Sequence, residues 1–127
     1  MKIFILLAMI FCHIVDDYYL QRILASMKQK SWWESQSGYS QKYSKDYIMA
    51  LCEHAFSWTF MIMLPIFIVR DFHVTLGLGL AFFINWMIHS FTDNAKANLK
   101  KINLVQDQLI HIVQICVTFT LFTLGVL

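Results

Sequence analysis

Three histidines in this chain stand four residues from an aspartate: His13 from Asp17, His89 from Asp93 and His111 from Asp107. On a helix that spacing stacks the two side chains on one face. Gln21 extends the first row, Asn85 precedes the second, Gln108 lies beside the third, and His54 adds a fourth imidazole. Imidazole and carboxylate together suit zinc, manganese or iron, with zinc the first choice, and four histidines with three aspartates can serve one or two ions. The expected metal ligands are His13, His54, His89, His111, Asp17, Asp93 and Asp107, with Gln21, Asn85 and Gln108 orienting them. An ion with an open position lowers the pKa of a bound water, and Asp17, Asp93 or Asp107 can act as general base. Lys96, one turn beyond Asp93, is placed to clamp a phosphate or polarise a carbonyl.

A plainer account competes with each of these. A single histidine such as His13 is more often a satisfied helix–helix hydrogen-bonding residue than a ligand, and only its depth recommends His54. Glu53 lies about 100° around the helix from His54, so it is expected to face elsewhere. A His–Asp network that merely holds helices together is the alternative for the whole set.

The elements that must position these residues are membrane-length helices. Apolar residues make up 58% of the 127 and charged residues 14%, against about 25% charged in a soluble domain. The net charge of +2 is too small to argue for nucleic acid. Cys12, Cys52 and Cys116 have no metal-finger spacing and read as free thiols. The opening MKIFILLAMIFCHIV lacks a small-x-small site before Asp16 and Asp17, so it is expected to be a retained span rather than a signal. Thirteen apolar residues are too short to cross about 30 Å of hydrocarbon, which extends the first helix through DDYYLQRIL to about Leu24.

The sequence thus predicts an all-α, single-domain polytopic membrane protein over 1–127. Its four-transmembrane-helix bundle has spans at about 2–24, 47–69, 72–93 and 103–126. Residues 25–46, with Trp32, Trp33, Tyr39 and Tyr43 among lysines, form an interfacial connection with a short helix turning near Gly38. Asp46 is expected to cap the second span. Asp16 and Arg22 are expected to point away from the first polar row, and Gly77 and Gly79 to permit close helix approach.

Basic residues cluster in the connections 22–46 and 94–102, while the other side holds Lys2 and Arg70. Positive-inside logic puts both connections in the cytoplasm and both termini on the periplasmic side of a bacterial inner membrane. Counting from the outer face, all four site histidines fall at roughly 18–26 Å. Polar groups at one depth on four helices are expected to face one interior site.

The same residues carry a resemblance. His13–Asp17–Gln21, His54, His89–Asp93–Lys96 and Asp107–Gln108–His111 resemble the motifs of a family of small bacterial and phage integral membrane proteins known as domain of unknown function 3307. Asp16 stands where that family usually has a small or apolar residue. The resemblance implies that these residues form one site and brings no activity with it. From location and residue types the expected function is a metal-dependent hydrolase acting near the cytoplasmic face on a membrane lipid or lipid-linked ester or phosphate. The alternatives are an ion, proton or small-solute transport protein, or a membrane interaction protein with a structural His–Asp network. A homodimer is compatible with either, and nucleic acid is not an expected partner.

Overall fold

The computed structural model describes residues 2–127. It is all-helical: α1 (Lys2–Ile14), α2 (Leu24–Met27), α3 (Lys30–Glu34), α4 (Asp46–Val69), α5 (Leu76–Ala97) and α6 (Leu104–Thr123), with no strand among the described residues. A π-helical stretch, Val15–Leu20, continues α1, and a 3₁₀ turn spans Gln41–Tyr43. The four long helices pack in a ring, α1 on α4 and α6, and α5 on α4 and α6.

Their direction follows from what meets at one end. The Lys2 ammonium reaches the Thr123 carbonyl, the Arg70 guanidinium donates to the Leu127 carbonyl, and Gly77 lies against the backbone of Val126. A Cβ on Gly77 would sit 2.8 Å from the Val126 oxygen, whereas one on Gly79 would meet nothing within 4 Å. Of the two glycines expected to allow close approach, only Gly77 does so.

Three stretches are long and apolar enough to cross a membrane: Lys2–Leu20, Gln41–Val69 and Leu104–Thr123. The 22-residue α5 has the length but carries Asn85, His89, Ser90, Thr92 and Asp93, which lower its hydropathy. All four helices nevertheless expose apolar side chains outward, among them Phe4 and Phe11 of α1, Phe60 of α4, Phe83 and Phe91 of α5, and Val113 of α6. Around a whole ring, such a surface suits lipid and not water. Near the end where Lys2 meets Thr123 the interior is apolar as well, filled by Ile5, Met9, Ile62, Met63, Ile66 and Leu78.

Helix ends follow local chemistry. Thr75 caps α5, its hydroxyl accepting from the Leu78 N–H at 3.1 Å, and Asn103 with Gln106 forms a capping box at α6. Asp46 does not cap α4: it is the first helical residue, preceded by Lys45, whose side chain makes no cap hydrogen bond. The first helix also stops earlier than expected. The Gln21 N–H bonds the Asp16 carbonyl at 3.2 Å, a spacing of five residues, and Arg22 then turns left-handed (φ 41°). Two short helices, α2 and α3, follow where one was expected, and the chain reverses at Gly38 (φ 87°).

Candidate metal centre

At the other end of the ring the interior is polar. His13, Asp16 and Asp17 from the first helix, His54 from α4, His89 and Asp93 from α5, and Asp107 and His111 from α6 are all buried. The polar rows read from the sequence therefore meet at one level. Glu53 is exposed, as its position around the helix requires.

The π-helical stretch changes which acid faces inward. Regular α-helical spacing would send Asp16 away, yet Asp16 and Asp17 are both buried. A wider turn brings neighbouring residues toward the same side. Asp16 accepts from the Ser57 hydroxyl at 2.6 Å, and its other oxygen lies 3.9 Å from His54 Nδ1. The centre thus holds four carboxylates rather than three.

Each carboxylate ties one oxygen to a donor and leaves the other open. Asp17 Oδ2 accepts from Gln108 Nε2 at 2.9 Å, Asp107 Oδ2 from Lys96 at 2.5 Å and from Gln108 at 3.1 Å, and Asp93 Oδ2 from Lys28 at 2.5 Å. The remaining oxygens, Asp16 Oδ2 and the Oδ1 atoms of Asp17, Asp93 and Asp107, are buried without a hydrogen-bond partner in the protein. His54 Nδ1, His89 Nδ1 and His111 Nε2 share that condition. Elsewhere among the described residues only Gln21 Oε1 and Thr59 Oγ1 do, so orphaned buried groups are concentrated at one place. Buried polar atoms normally find a partner.

Donor direction fixes the tautomers. The Trp58 indole can only donate, and it gives its N–H to His13 Nδ1 at 2.8 Å. His13 Nε2 therefore carries the proton and donates to Gln108 Oε1 at 3.1 Å. The amide is left with two N–H groups for two acceptors, Asp17 and Asp107. His13 departs from the expected ligand set, because both its ring nitrogens are engaged.

On the other side, Gln114 Nε2 donates to the Asn85 backbone carbonyl at 3.1 Å. Gln114 Oε1 consequently accepts from His111 Nδ1 at 3.2 Å, so in the neutral ring His111 Nε2 bears the lone pair. That nitrogen faces Asp93 Oδ1 and Asp107 Oδ1, each at 3.5 Å. A lone pair opposed to two carboxylate oxygens repels them unless a positive charge or a donor lies between. Asn85 also donates to Thr118 Oγ1 at 2.8 Å, so its part is to steady Gln114 and, through it, His111.

His54 and His89 face each other with Nε2 atoms 3.2 Å apart. His54 Nε2 is also 3.4 Å from Asp17 Oδ1 and 3.3 Å from Asp93 Oδ2, and one ring proton cannot serve three acceptors. Three ligand triplets have their atoms within 4.8 Å of one another: Asp17–His54–His89, His89–Asp93–His111 and Asp17–Asp107–His111. Buried His/Asp groups here can hold a metal ion, and the three triplets overlap, sharing Asp17, His89 and His111.

Charge points the same way. When ionised, and with the imidazoles neutral, the four carboxylates face two ammonium groups, Lys28 and Lys96, leaving an excess of two negative charges inside the protein. An uncompensated buried charge is costly, and a divalent cation removes this excess.

Besides Gln114, which orients His111, sequence reasoning missed three residues. Lys28 was one cation among several in the connection, yet it reaches the buried Asp93, and Asn98 holds the backbone at and just after it: the amide donates to the Lys28 carbonyl at 3.0 Å, and its oxygen accepts from Lys30 N–H at 2.7 Å. Trp58 is fully buried and also stacks on His89, ring centroids 4.2 Å apart; within an apolar run nothing set it apart. Ser57 carried no signal of its own within that run, yet its hydroxyl donates to Asp16. Two expected roles shift as well. Lys96 is paired with Asp107 rather than free, and the Gln21 amide turns back to the Asp17 carbonyl of its own helix.

No family model matches the chain, and neither do curated proteins or solved structures. The likeness to the bacterial and phage membrane family stands on the motif residues alone.

Proposed function

We propose that the protein is a four-span membrane bundle whose buried His/Asp cluster is a divalent-metal centre, near the cytoplasmic face of a bacterial inner membrane, that hydrolyses a lipid or lipid-linked substrate. The observation that carries the metal reading is the divided state of the four carboxylates. Each has one oxygen fixed by a protein donor and one left open beside an imidazole nitrogen, which for Asp16, Asp93 and Asp107 is itself without a partner. Such pre-orientation by outer partners is how ligands are held for an ion.

The ligands are then His54, His89, His111, Asp17, Asp93 and Asp107, with Asp16 added by the π-helical stretch. His13, Gln108, Gln114 and Asn85 orient them. A zinc, manganese or iron ion held there would supply a Lewis acid and a water of lowered pKa. Asp17 lines an opening on the α1–α6 side together with Lys96 and Gln108, so water can reach the edge of the centre, where a carboxylate not engaged by the ion could take its proton. The exposed apolar face of α5 supports its being the fourth span: the polar residues that lower its hydropathy point inward. Positive-inside placement of the two lysine-rich connections supports the cytoplasmic position of the centre.

A transport role is less well supported. The interior beyond the cluster is closed by Met9, Ile62, Met63 and Ile66, each fully buried, and an ion path needs polar lining across the whole span.

The test is elemental analysis of the detergent-purified protein, wild type beside His89→Ala and Asp107→Ala. One or two equivalents of a divalent transition metal in wild type, lost in both variants, is the expected result. A metal-free wild type refolded with added zinc and still unable to retain it overturns the centre.

A further inference from the structure

We propose that the cleft between the π-helical end of α1 and α6 binds a membrane lipid whose headgroup is a phosphate with net negative charge. This inference rests on the bilayer reading above and names the substrate class for the same centre. Two adjoining hollows form the cleft, sharing Tyr18, Tyr19 and Gln108. One, of about 510 Å³, is walled by Ile10, Ile14 and Ile112. The other, of about 320 Å³, is bordered by Asp17, Arg22 and Lys96. Both fall within the usual size of a ligand site, roughly 300–1,000 Å³.

The division runs in the order a lipid presents. Ile10 and Ile14 precede Asp17 and Arg22 along the first helix, and Ile112 lies one turn from Gln108 on α6, so the apolar wall continues into the span while the cations lie beyond it. An acyl chain fits the first hollow and an anion the second. Lys96 gives one of its three N–H donors to Asp107 at 2.5 Å, leaving two for a phosphate. Arg22 is exposed and has no ion-pair partner among the described residues, so its planar fork is free for phosphate oxygens. The left-handed turn at Arg22 (φ 41°) is what ends the first helix beside this opening. Two other grooves between long helices, α4–α5 and α5–α6, have no charged residue in their lining and read as ordinary lipid-facing surface. Asp17 and Gln108 line the cleft and also belong to the metal centre, so a phosphate in the cleft lies next to the residues that border that centre.

The experiment uses phosphatidylcholine nanodiscs containing either a photoactivatable phosphatidic acid, with a diazirine in its acyl chain, or phosphatidylcholine carrying the same diazirine. Cross-links are mapped by mass spectrometry. Phosphatidic acid should label the segments containing Ile14 and Ile112 about fivefold more than phosphatidylcholine does, the worth of one cation at the headgroup level. Arg22→Gln should remove most of that preference. Ile112→Trp and Ile14→Trp, which fill the apolar hollow from opposite walls, should each suppress labelling while metal content stays at the wild-type level. Equal labelling by the two probes, or labelling spread evenly over the three grooves, overturns the cleft while leaving the metal centre standing. Loss of the metal centre in elemental analysis, with selective labelling intact, would overturn the centre alone.

Discussion

Replacing Lys28 with methionine separates the charge bookkeeping of the centre from its geometry. The Lys28 ammonium lies 2.5 Å from Asp93 Oδ2, with side-chain exposures of 7% and 0%. Methionine keeps most of the apolar stem of lysine and removes the ammonium group. Breaking one side of a buried pair leaves an uncompensated carboxylate and costs about 3–5 kcal/mol. Without metal, Lys28→Met should therefore lose about that much stability against unfolding in mixed micelles with a chelator present. The same change raises the excess negative charge of the cluster from two to three. A unit charge at about 4 Å is worth roughly 4 kcal/mol at the effective dielectric of a protein surface, so even partial expression of that gain should tighten divalent-metal binding at least about tenfold. The variant should thus be weaker than wild type when metal-free and regain most of the deficit when zinc is added. Chelator competition gives the affinity and unfolding with and without zinc gives the stability. A variant that binds metal more weakly than wild type, as Asp93→Asn should, would refute the reasoning and make Lys28 part of the ligand geometry. Unchanged metal-free stability would refute the buried pair.

Three further outcomes follow from individual contacts. Trp58→Phe removes the donor that sets the His13 tautomer; the buried Nδ1 left without a partner should cost about 1–3 kcal/mol, and the released Gln108 amide should weaken metal binding about 10–100-fold by chelator competition. Wild-type affinity in that variant would break the relay from indole to carboxylates. Gly77→Ala must push against the Val126 carbonyl, 2.8 Å from the new Cβ; overpacking of about 1–3 kcal/mol outweighs a helix-propensity gain of at most about 1 kcal/mol, whereas Gly79→Ala has open space and should be neutral or stabilising in the same unfolding assay. Asp16→Asn should reduce metal retention measured by elemental analysis, while Glu53→Gln, on the exposed face, should leave it unchanged; the reverse order would mean that the π-helical stretch does not present Asp16 to the centre.

How much of this was legible depends on which physical rule governs each residue. Hydropathy and the spacing of four set the inward rows of α5 and α6, because regular α-helix geometry holds through both. Depth counting brought His54 to the same level for the same reason. The first helix escaped that arithmetic at Val15–Leu20, where hydrogen bonds five residues apart widen the turn and Asp16 joins Asp17. The residue pattern there, two acids and two tyrosines, gives no rule for that change.

By itself the sequence determined the apolar exterior, the helical order, the common depth of the histidines and acids, and the exposure of Glu53, since each follows from the period of a helix and the solvent it must face. Tertiary structure alone decided which nitrogen of His13 and His111 carries the proton, why His13 has none to spare, and how Lys28 and Trp58 enter the centre. Hydrogen-bond direction depends on what the partner can donate or accept: Trp58, Gln108 and Asp93 lie on other elements, as many as 95 positions away in the chain, and Gln114, on the same helix as His111, is oriented by Asn85 of α5.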